Sequence, residues 1–275
     1  MKKRRRKRHK RRIRIGRVFL LFLPVILSAV MVFSLSGKEE EPEYASDPVY
    51  LNDYDYSHLS HNNGLYSYED DAYTSLPGID VSYSQASVDW QKVYDSGVRF
   101  VLIRAGYRGY SSGELHEDDR FRENLEHAKA AGLLTGVYWF SSAVTKEEAE
   151  EEADYVLDLI GGEEIDLPIG FDMEYVTDND RIRVLDQEGL TAMALAFSRR
   201  MKENGHEVMV YGSQYWLENQ IRMSELQDEV SFWLASYNVS SPDTVHAFSM
   251  WQYSESGSVE GIDGKVDMDL WFIRK

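Results

Sequence analysis

The chain has 275 residues, a formal net charge of −17 and no cysteine, and it contains six tryptophans, eighteen tyrosines and eleven phenylalanines. This aromatic content can build a sizeable core, so a chain that is disordered throughout is excluded, and the length allows one large domain or two small ones. The absence of cysteine excludes disulfide bonds and thiolate chemistry.

Positive charge is concentrated at the start of the chain. Residues 1–17 hold twelve of the thirty Lys and Arg residues and no acid, which leaves 18 basic against 47 acidic residues in the remainder, a net charge of −29. Binding to nucleic acid needs clustered cations on the folded body, and this acidic remainder does not offer them. We therefore expect no nucleic-acid partner.

An uncharged segment follows the basic tail. Residues 18–36 consist of apolar and small side chains, interrupted by Pro24, and about 20 apolar residues span a bilayer core as a helix. Cations before the segment and glutamates after it predict a cytoplasmic amino terminus and an exported body. We therefore predict a single-pass anchor with an extracellular domain; a signal peptide cleaved after Ser36 and a secreted protein are the alternative.

The segment at residues 37–77 is acidic and polar, with seven tyrosines and few aliphatic side chains. Polar segments of this kind more often stay extended than fold alone. We interpret it as a linker that carries the body away from the membrane. The predicted organisation is a basic cytoplasmic tail (1–17), an anchor (18–36), a linker (37–77) and one folded domain (78–275).

From residue 78 onward, short apolar runs alternate with amphipathic helical patterns. A capping box at Thr145–Glu148 begins one helix, and apolar residues between Leu190 and Met201 mark another that ends before Gly205. The predicted strands are 78–82, 99–104, 134–140, 167–174, 207–211, 231–237, 248–253 and 266–268.

Repeated alternation of strands and helices predicts an α/β fold with a parallel sheet covered by helices. Eight strands in about 200 residues suit a TIM-like (β/α) barrel. A doubly wound open sheet is the alternative. No Gly-x-Gly-x-x-Gly motif follows the first strand, which disfavours the nucleotide-binding version of that alternative.

Two carboxylates end the fourth predicted strand, in the sequence Ile-Gly-Phe-Asp172-Met-Glu174. Residues i and i+2 of a strand point to one face, so both acids project to the same place. Like charges this close raise one pKa, so that one carboxyl holds a proton near neutral pH while the other is ionised. We expect Asp172 to raise the pKa of Glu174. This arrangement is typical of glycoside hydrolysis, although a solvated strand end would show the same three residues.

Other polar side chains stand at the ends of predicted strands, where active sites of parallel α/β folds form. Asp80 lies late in the first strand, where it could instead cap a turn. Aromatic residues could stack on sugar faces or pack in the core. The candidate substrate-binding residues are Tyr138, Tyr211, Tyr237, Trp251 and Gln252.

Other chemistries have little support in the sequence. The seven histidines are scattered, and His58-x-x-His61 lies in the predicted linker without a carboxylate partner, so we expect no metal site. No Gly-x-Ser-x-Gly elbow and no phosphate-binding loop occur, and we expect no cofactor.

Seven motifs in order resemble those of the glycoside hydrolase family 25 lysozymes, the Chalaropsis-type muramidases, over about residues 78–272. They are Gly78-Ile-Asp-Val-Ser82 with Gln85 and Asp89-Trp90, Phe100-Val-Leu-Ile-Arg-Ala-Gly-Tyr107, Ala131-Gly-Leu-Leu-Thr-Gly-Val-Tyr138, Phe171-Asp-Met-Glu174, Trp233-Leu-Ala-Ser-Tyr237, Met250-Trp-Gln-Tyr-Ser254 and Gly261-Ile-Asp-Gly-Lys-Val-Asp267.

The resemblance implies an irregular (β/α)5(β)3 barrel and hydrolysis of the β-1,4 bond between N-acetylmuramic acid and N-acetylglucosamine. It implies that Glu174 is the general acid and that Asp172 assists the N-acetyl group of the sugar. It also assigns Asp80 and Asp267 to the site, with Asp263 and Asp269 as alternatives to Asp267. The family often has Asn where this chain has Asp269.

Three functions fit these observations. The first is a muramidase acting on peptidoglycan glycan strands, as a monomer held at the membrane. The second is a barrel of the same fold that binds the wall without turnover, and the presence of all four acids (Asp80, Asp172, Glu174 and Asp267) disfavours it. The third is a hydrolase for another N-acetylated glycan.

Overall fold

The computed structural model describes residues 48–275, and residues 1–47 lie outside the described part of the chain. The basic tail and the predicted anchor at 18–36 fall in that outside part. Among the helices between residues 48 and 275, none combines the length and the apolar character that a bilayer crossing requires.

Eleven strands occur within residues 48–275. They are β1 (Leu59–Asn62), β2 (Leu65–Tyr68), β3 (Tyr73–Val81), β4 (Phe100–Arg108), β5 (Leu115–Glu117), β6 (Leu134–Phe140), β7 (Ile169–Asp172), β8 (Val208–Ser213), β9 (Ser231–Ala235), β10 (Met250–Gly257) and β11 (Val266–Arg274).

Six α-helices and three short 3-10 helices lie among these strands in the described residues. The α-helices are α1 (Trp90–Asp95), α2 (Phe121–Ala130), α3 (Lys146–Ile160), α4 (Gln187–Glu203), α5 (Gln214–Asn219) and α6 (Met223–Leu226). The 3-10 helices are Tyr56–His58, Tyr83–Gln85 and Arg181–Val184.

The predicted caps define the longer helices. The hydroxyl of Thr145 accepts a hydrogen bond from the backbone N–H of Glu148 at 3.2 Å, and α3 begins at the next residue. Gly161 ends α3 in the left-handed conformation, which glycine adopts without strain. The helix predicted before Gly205 is also confirmed, as α4, and α2 ends just before Gly132.

Eight of the strands form a closed barrel. The strands β3, β4, β6, β7, β8, β9 and β10 run parallel in that order, and β11 lies antiparallel between β10 and β3. Five strand–helix units come first and three strands follow, so the α/β barrel prediction is confirmed. The open-sheet alternative is excluded because the sheet closes on itself.

The last strand is much longer than the sequence predicted. Only residues 266–268 were predicted as a strand, whereas β11 pairs with β3 over eight positions, from Asp267 opposite Asp80 to Arg274 opposite Tyr73. β3 likewise begins at Tyr73, five residues before the predicted strand. This long pairing closes the barrel and brings Asp267 beside Asp80.

The core has two layers. Side chains inside the barrel include Phe100, Leu102, Tyr138, Met209 and Trp233, all of them buried. The second layer lies between the barrel and its outer elements, because successive residues of a strand point to opposite faces. The inner layer supports the mouth of the barrel from below, and the outer layer attaches the helices.

Residues 48–72 form a folded segment, which we call the tyrosine cover. Its two strands β1 and β2 form a hairpin whose turn, Asn63-Gly64, has positive φ at both residues. Tyr54 stacks on Phe272 of β11, with ring centroids 4.3 Å apart. Tyr66 lies 5.0 Å from the ring of Trp251 on β10.

The interpretation of residues 37–77 as a linker is therefore corrected for the part that the structure describes. No α-helix follows β9, β10 or β11 in chain order within residues 48–275. The tyrosine cover packs on the outer faces of β10 and β11 instead, where its rings bury apolar surface while their hydroxyls keep polar partners. The hydroxyl of Tyr54, for example, donates to the carbonyl of Phe248 at 2.6 Å.

Candidate active site

The candidate acids gather at the carboxyl ends of the parallel strands. Asp172 is the last residue of β7, and Glu174 follows two residues later in the loop. Asp80 lies near the end of β3, and Asp267 is its direct partner on β11. The barrel thus brings together four carboxyls from three distant parts of the sequence.

Asp172 is a buried carboxyl, 8% exposed. Burial raises its pKa well above the usual range, the charge of Glu174 raises it further, and Arg104 lowers it. Within residues 48–275, no side chain or backbone group forms a hydrogen bond to its Oδ1 atom. An unpaired buried oxygen is costly, so this atom is suited to accept a hydrogen bond from a ligand.

Glu174 is the most exposed of the four acids and stands at the rim of the site. Partial loss of hydration raises its pKa, and the charge of Asp267 raises it further. The charge of Glu174 raises the pKa of Asp172, and because repulsion between two carboxylates is reciprocal, the same interaction favours a proton on one member of the pair.

The loop after β7 holds Glu174 by local hydrogen bonds. The Asp180 carboxylate accepts from the backbone N–H of Val176 and, at 2.9 Å, from that of Thr177. The guanidinium of Arg183 lies 4.1 Å from the ring centre of Tyr175, the residue after Glu174. These contacts limit the motion of the loop and therefore of the Glu174 carboxyl.

Gln252 connects the polar side chains on the opposite side of the site. Its Oε1 atom accepts hydrogen bonds from the hydroxyls of Tyr211 and Tyr237, at 2.8 and 2.5 Å. Its Nε2 atom donates to Asp80 Oδ2 at 2.6 Å. The two hydroxyls therefore fix the amide orientation, and the amide in turn fixes the Asp80 carboxylate.

Two further aspartates line β11. Burial raises the pKa of Asp267 to about 6, with a contribution from the charge of Glu255. Asp269 is fully buried and accepts a hydrogen bond from Trp233 Nε1 at 2.9 Å. Asp263, the other alternative considered for this position, is exposed.

Of the predicted substrate-binding residues, Tyr138, Tyr211, Tyr237 and Gln252 lie at or beside the four carboxyls. Tyr138 is 8% exposed, and the charge of Asp80 contributes to raising its pKa after burial itself. Trp251 is the exception and is corrected. It is fully buried on the outer face of the barrel, since strand alternation turns it away from its neighbour Gln252, and its Nε1 atom donates to the Ser236 carbonyl.

Arg104 is a site residue that the list of predicted side chains omitted, although it ends the second predicted strand. Its Nε atom donates to Asp118 Oδ2 at 2.8 Å, and its charge lowers the pKa of Asp172. It borders a cleft of about 460 Å³ beside the acids. The cleft is lined by Tyr83, Arg104, Tyr107, Tyr110, Glu117, Asp118, Asp119, Phe140 and Val176.

Comparison with known protein families identifies one match over most of this domain. The sequence model described as Glycosyl hydrolases family 25 matches residues 79–262. The matched range includes Asp80, Asp172, Glu174 and Gln252, and it ends before β11.

Individual proteins with similar sequences include two lysozymes. The autolytic lysozyme of Clostridium acetobutylicum is 29% identical over 195 residues, which cover 70% of this chain and 55% of that protein. Lysozyme M1 of Streptomyces globisporus is 29% identical, over 70% of this chain and 67% of that protein. This chain therefore spans about half of the length of the Clostridium relative.

A solved structure with the same fold is the bacterial lysozyme from Streptomyces coelicolor. It superimposes with a TM-score of 0.60 at 29% sequence identity, and the match covers 70% of this chain and 90% of the lysozyme.

Proposed function

The chain belongs to the glycosyl hydrolases of family 25, and on this premise we propose that it is a muramidase, which hydrolyses the β-1,4 bond between N-acetylmuramic acid and N-acetylglucosamine in peptidoglycan. The observation that carries the proposal is the pair Asp172 and Glu174 at the carboxyl end of β7, inside the matched segment.

Glu174 acts as the general acid in this proposal. Its raised pKa favours the protonated form that a general acid needs, and its position at the rim lets the carboxyl reach a glycosidic oxygen. The proton passes to that oxygen as the bond from the oxygen to the anomeric carbon breaks. Water later adds to the anomeric carbon and returns a proton to Glu174.

Asp172 assists the N-acetyl group of the muramic acid. The acetamido carbonyl oxygen bonds to the anomeric carbon as the glycosidic bond breaks, while Asp172 Oδ1 accepts the acetamido N–H. This role is supported by the buried Oδ1 atom, which has no hydrogen-bond partner among residues 48–275. Attack by the substrate's own oxygen, followed by water, retains the anomeric configuration.

The cleft that contains Arg104 supplies room for the glycan beside these acids. Its volume of about 460 Å³ is that of an ordinary ligand site. The rings of Tyr83 and Tyr110 are exposed, and aromatic faces pack well on sugar rings.

Product analysis of digested peptidoglycan tests the reaction. Digested walls are reduced with borohydride and the new reducing ends are identified by mass spectrometry. Reduced muramic acid is the expected product. Reduced glucosamine would assign a glucosaminidase, and wall binding without any new reducing end would assign a wall-binding barrel instead.

Glu174→Gln tests the general acid. The rate should fall by about 10²–10⁴-fold, because general acid catalysis contributes that much. Glu164→Gln is the matched control, since Glu164 is exposed in the loop after α3. Near-normal activity of Glu174→Gln with an intact fold would contradict the assignment.

Asp267→Asn tests the electrostatics of the acid. The charge of Asp267 raises the pKa of Glu174, so removing it lowers that pKa and Glu174 loses its proton at a lower pH. The alkaline limb of the pH–rate profile should therefore shift to lower pH, while Asp263→Asn should leave it in place. A shift to higher pH would contradict this account.

We also propose that residues 18–36 anchor the enzyme in the membrane with its barrel outside the cell. The support is the uncharged run preceded by twelve cations. The intact protein should partition with membranes and be digested by external protease. Recovery from the medium of a chain that begins at Gly37 would assign a cleaved signal peptide.

A further inference from the structure

Two buried carboxyls meet on the barrel wall opposite Glu174. Asp80 on β3 is 5% exposed and Asp269 on β11 is fully buried. One oxygen of each is occupied: Gln252 donates to Asp80 Oδ2, and Trp233 donates to Asp269 Oδ1. Asp269 Oδ2 has no donor among the N–H and O–H groups of residues 48–275. The two aspartates are diagonal neighbours on paired strands, since Asp80 lies opposite Asp267 and Asp269 lies opposite Gly78.

Two ionised carboxylates would repel each other in this position. The groups that face the pair are Gln252 on β10, Trp233 on β9, Asp267 on the strand of Asp269, Tyr138 on β6 and Tyr237 just after β9. None of these is a cation, and no Lys or Arg within residues 48–275 forms an ion pair with either carboxyl. A proton between the two oxygens removes one charge and provides the missing hydrogen bond.

We propose that Asp80 and Asp269 share a single proton in the folded protein, so that Asp269 is the positioning residue that holds Asp80 in its orientation. The inference goes beyond the proposed reaction, in which Asp269 touches no substrate. Burial and the neighbouring acids act in the same direction, since they raise the pKa of Asp269 to about 8 and that of Asp80 well above its usual range.

The consequence is a fixed link between the carboxyl pair and the tyrosines of the site. While the proton is present, Asp80 stays bonded to Gln252, which in turn holds Tyr211 and Tyr237. Loss of the proton leaves two repelling charges in a dry site. Both carboxyls are then expected to move, and the orientation of Gln252 is lost with them.

The variant Asp269→Asn keeps a hydrogen bond to Asp80 but removes the shared proton. An asparagine amide donates to Asp80 at every pH, so the variant resembles the singly protonated pair but has no proton to lose. The folded wild type holds a proton between about pH 4 and about pH 8 that the unfolded chain has released. Its stability therefore falls across that window as pH rises.

Thermal melting against pH, without substrate, is the first measurement. The melting temperature of Asp269→Asn minus that of the wild type should grow by roughly 5–10 °C from pH 5.5 to pH 7.5. Asp263→Asn, which changes an exposed aspartate in the loop before β11, should follow the wild type. A constant difference between Asp269→Asn and the wild type would overturn the proposal.

A second measurement needs only the wild-type protein to fold. With ¹³C-labelled aspartate, the carboxyl carbons that titrate far above the ordinary aspartate range of about pH 4 should include, besides those of Asp172 and Asp267, a step near pH 8 that belongs to the pair Asp80 and Asp269. That step should be absent from Asp269→Asn where the variant folds. If the wild type shows no such step, the shared proton does not exist.

Activity provides the third measurement and depends on the proposed muramidase function. Above about pH 8 the logarithm of the wild-type rate should fall more steeply than that of Asp269→Asn, because two protons are then being lost rather than one. Equal slopes would overturn the positioning role. An inactive wild type would contradict the muramidase proposal and leave the melting and NMR tests of the shared proton valid.

Discussion

Two different kinds of structure cover the two flanks of the barrel. On one flank, α2, α3 and α4 lie over β4, β6, β7 and β8. On the other, the tyrosine cover packs on β3, β10 and β11. Both coverings keep the outer apolar face of the sheet away from water. The buried face of a helix is visible in the sequence as apolar residues at helical spacing. The cover instead buries tyrosines within a segment that has the composition of a polar linker.

The flanks also differ in how they handle charge. On the helical flank, Arg108 and Glu152 form a buried pair at 2.8 Å, and Ser141 donates to the same carboxylate. On the covered flank, polar groups lie near the surface, as in the bond from the Tyr68 hydroxyl to the half-buried Asp70. The helical flank should therefore respond more strongly to pH, and the covered flank to loss of aromatic area.

Removing the tyrosine cover should have the largest effect. A chain that starts at Tyr73 exposes the faces of Trp251 and Phe272, and each buried aromatic lost costs about 3–5 kcal/mol. The sum over the rings of the cover is comparable to the ordinary stability of about 5–15 kcal/mol, so cooperative melting should be lost or shifted to a much lower temperature. A chain that starts at Pro48 is the control. Equal melting curves for the two chains would show that the cover is dispensable.

Glu152→Gln should weaken the helical flank by about 1–3 kcal/mol at pH 5, because an amide N–H replaces one of the two oxygens that accept from Arg108 and Ser141. Denaturant unfolding measures the loss. Glu147→Gln, at an exposed position of α3, is the matched control. A loss below about 1 kcal/mol would show that the exposed Glu151, which also pairs with Arg108, compensates fully.

The same residue gives the helical flank a pH dependence. Burial raises the pKa of Glu152 to about 7, although Ser141 and Arg108 lower it in part. The folded state then keeps a proton that the unfolded state loses, so the free energy of unfolding should fall as pH rises from about 4.5 to 7. The fall should be at most about 3 kcal/mol and should be smaller in Glu152→Gln.

Tyr54→Ala should cost about 2–4 kcal/mol, since it removes a partly buried ring that stacks on Phe272. Phe197→Ala, its counterpart on the helical flank, removes a fully buried ring that packs on Phe171 and should cost about 3–5 kcal/mol. If Tyr54→Ala is neutral while Phe197→Ala is costly, the cover contributes less than its contacts indicate.

Tyr54→Phe should have the smallest effect. It keeps the ring and removes only the hydrogen bond to the Phe248 carbonyl, so a loss of about 1 kcal/mol is expected. A loss as large as that of Tyr54→Ala would mean that the hydroxyl, rather than the ring, attaches the cover. Urea unfolding of both variants separates the two contributions.

Local patterns in the sequence predicted most of the strands and helices of the barrel and, within the site, the pair Asp172 and Glu174. The cap at Thr145 and the apolar period of α4 depend on neighbours within one or two turns, so they can be read along the chain. The carboxyl-end rule then located Asp172 and Glu174 before any contact was known. The dipeptide Asn63-Gly64 is an equally local signal of a hairpin, and the interpretation of residues 37–77 as a linker did not take it into account.

The rest was decided by tertiary structure, because it depends on partners that are distant in sequence. The tyrosine cover is buried only where β10 and β11 lack helices, so its own composition could not reveal it. Trp251 lies outside the barrel and Gln252 inside it, because successive residues of β10 point to opposite faces. The burial of Asp172 depends on the closed barrel, and Asp269 meets Asp80 only because β11 pairs antiparallel with β3. A sequence fixes which groups can ionise, while desolvation and neighbouring charge in the folded state decide which of them keep their protons.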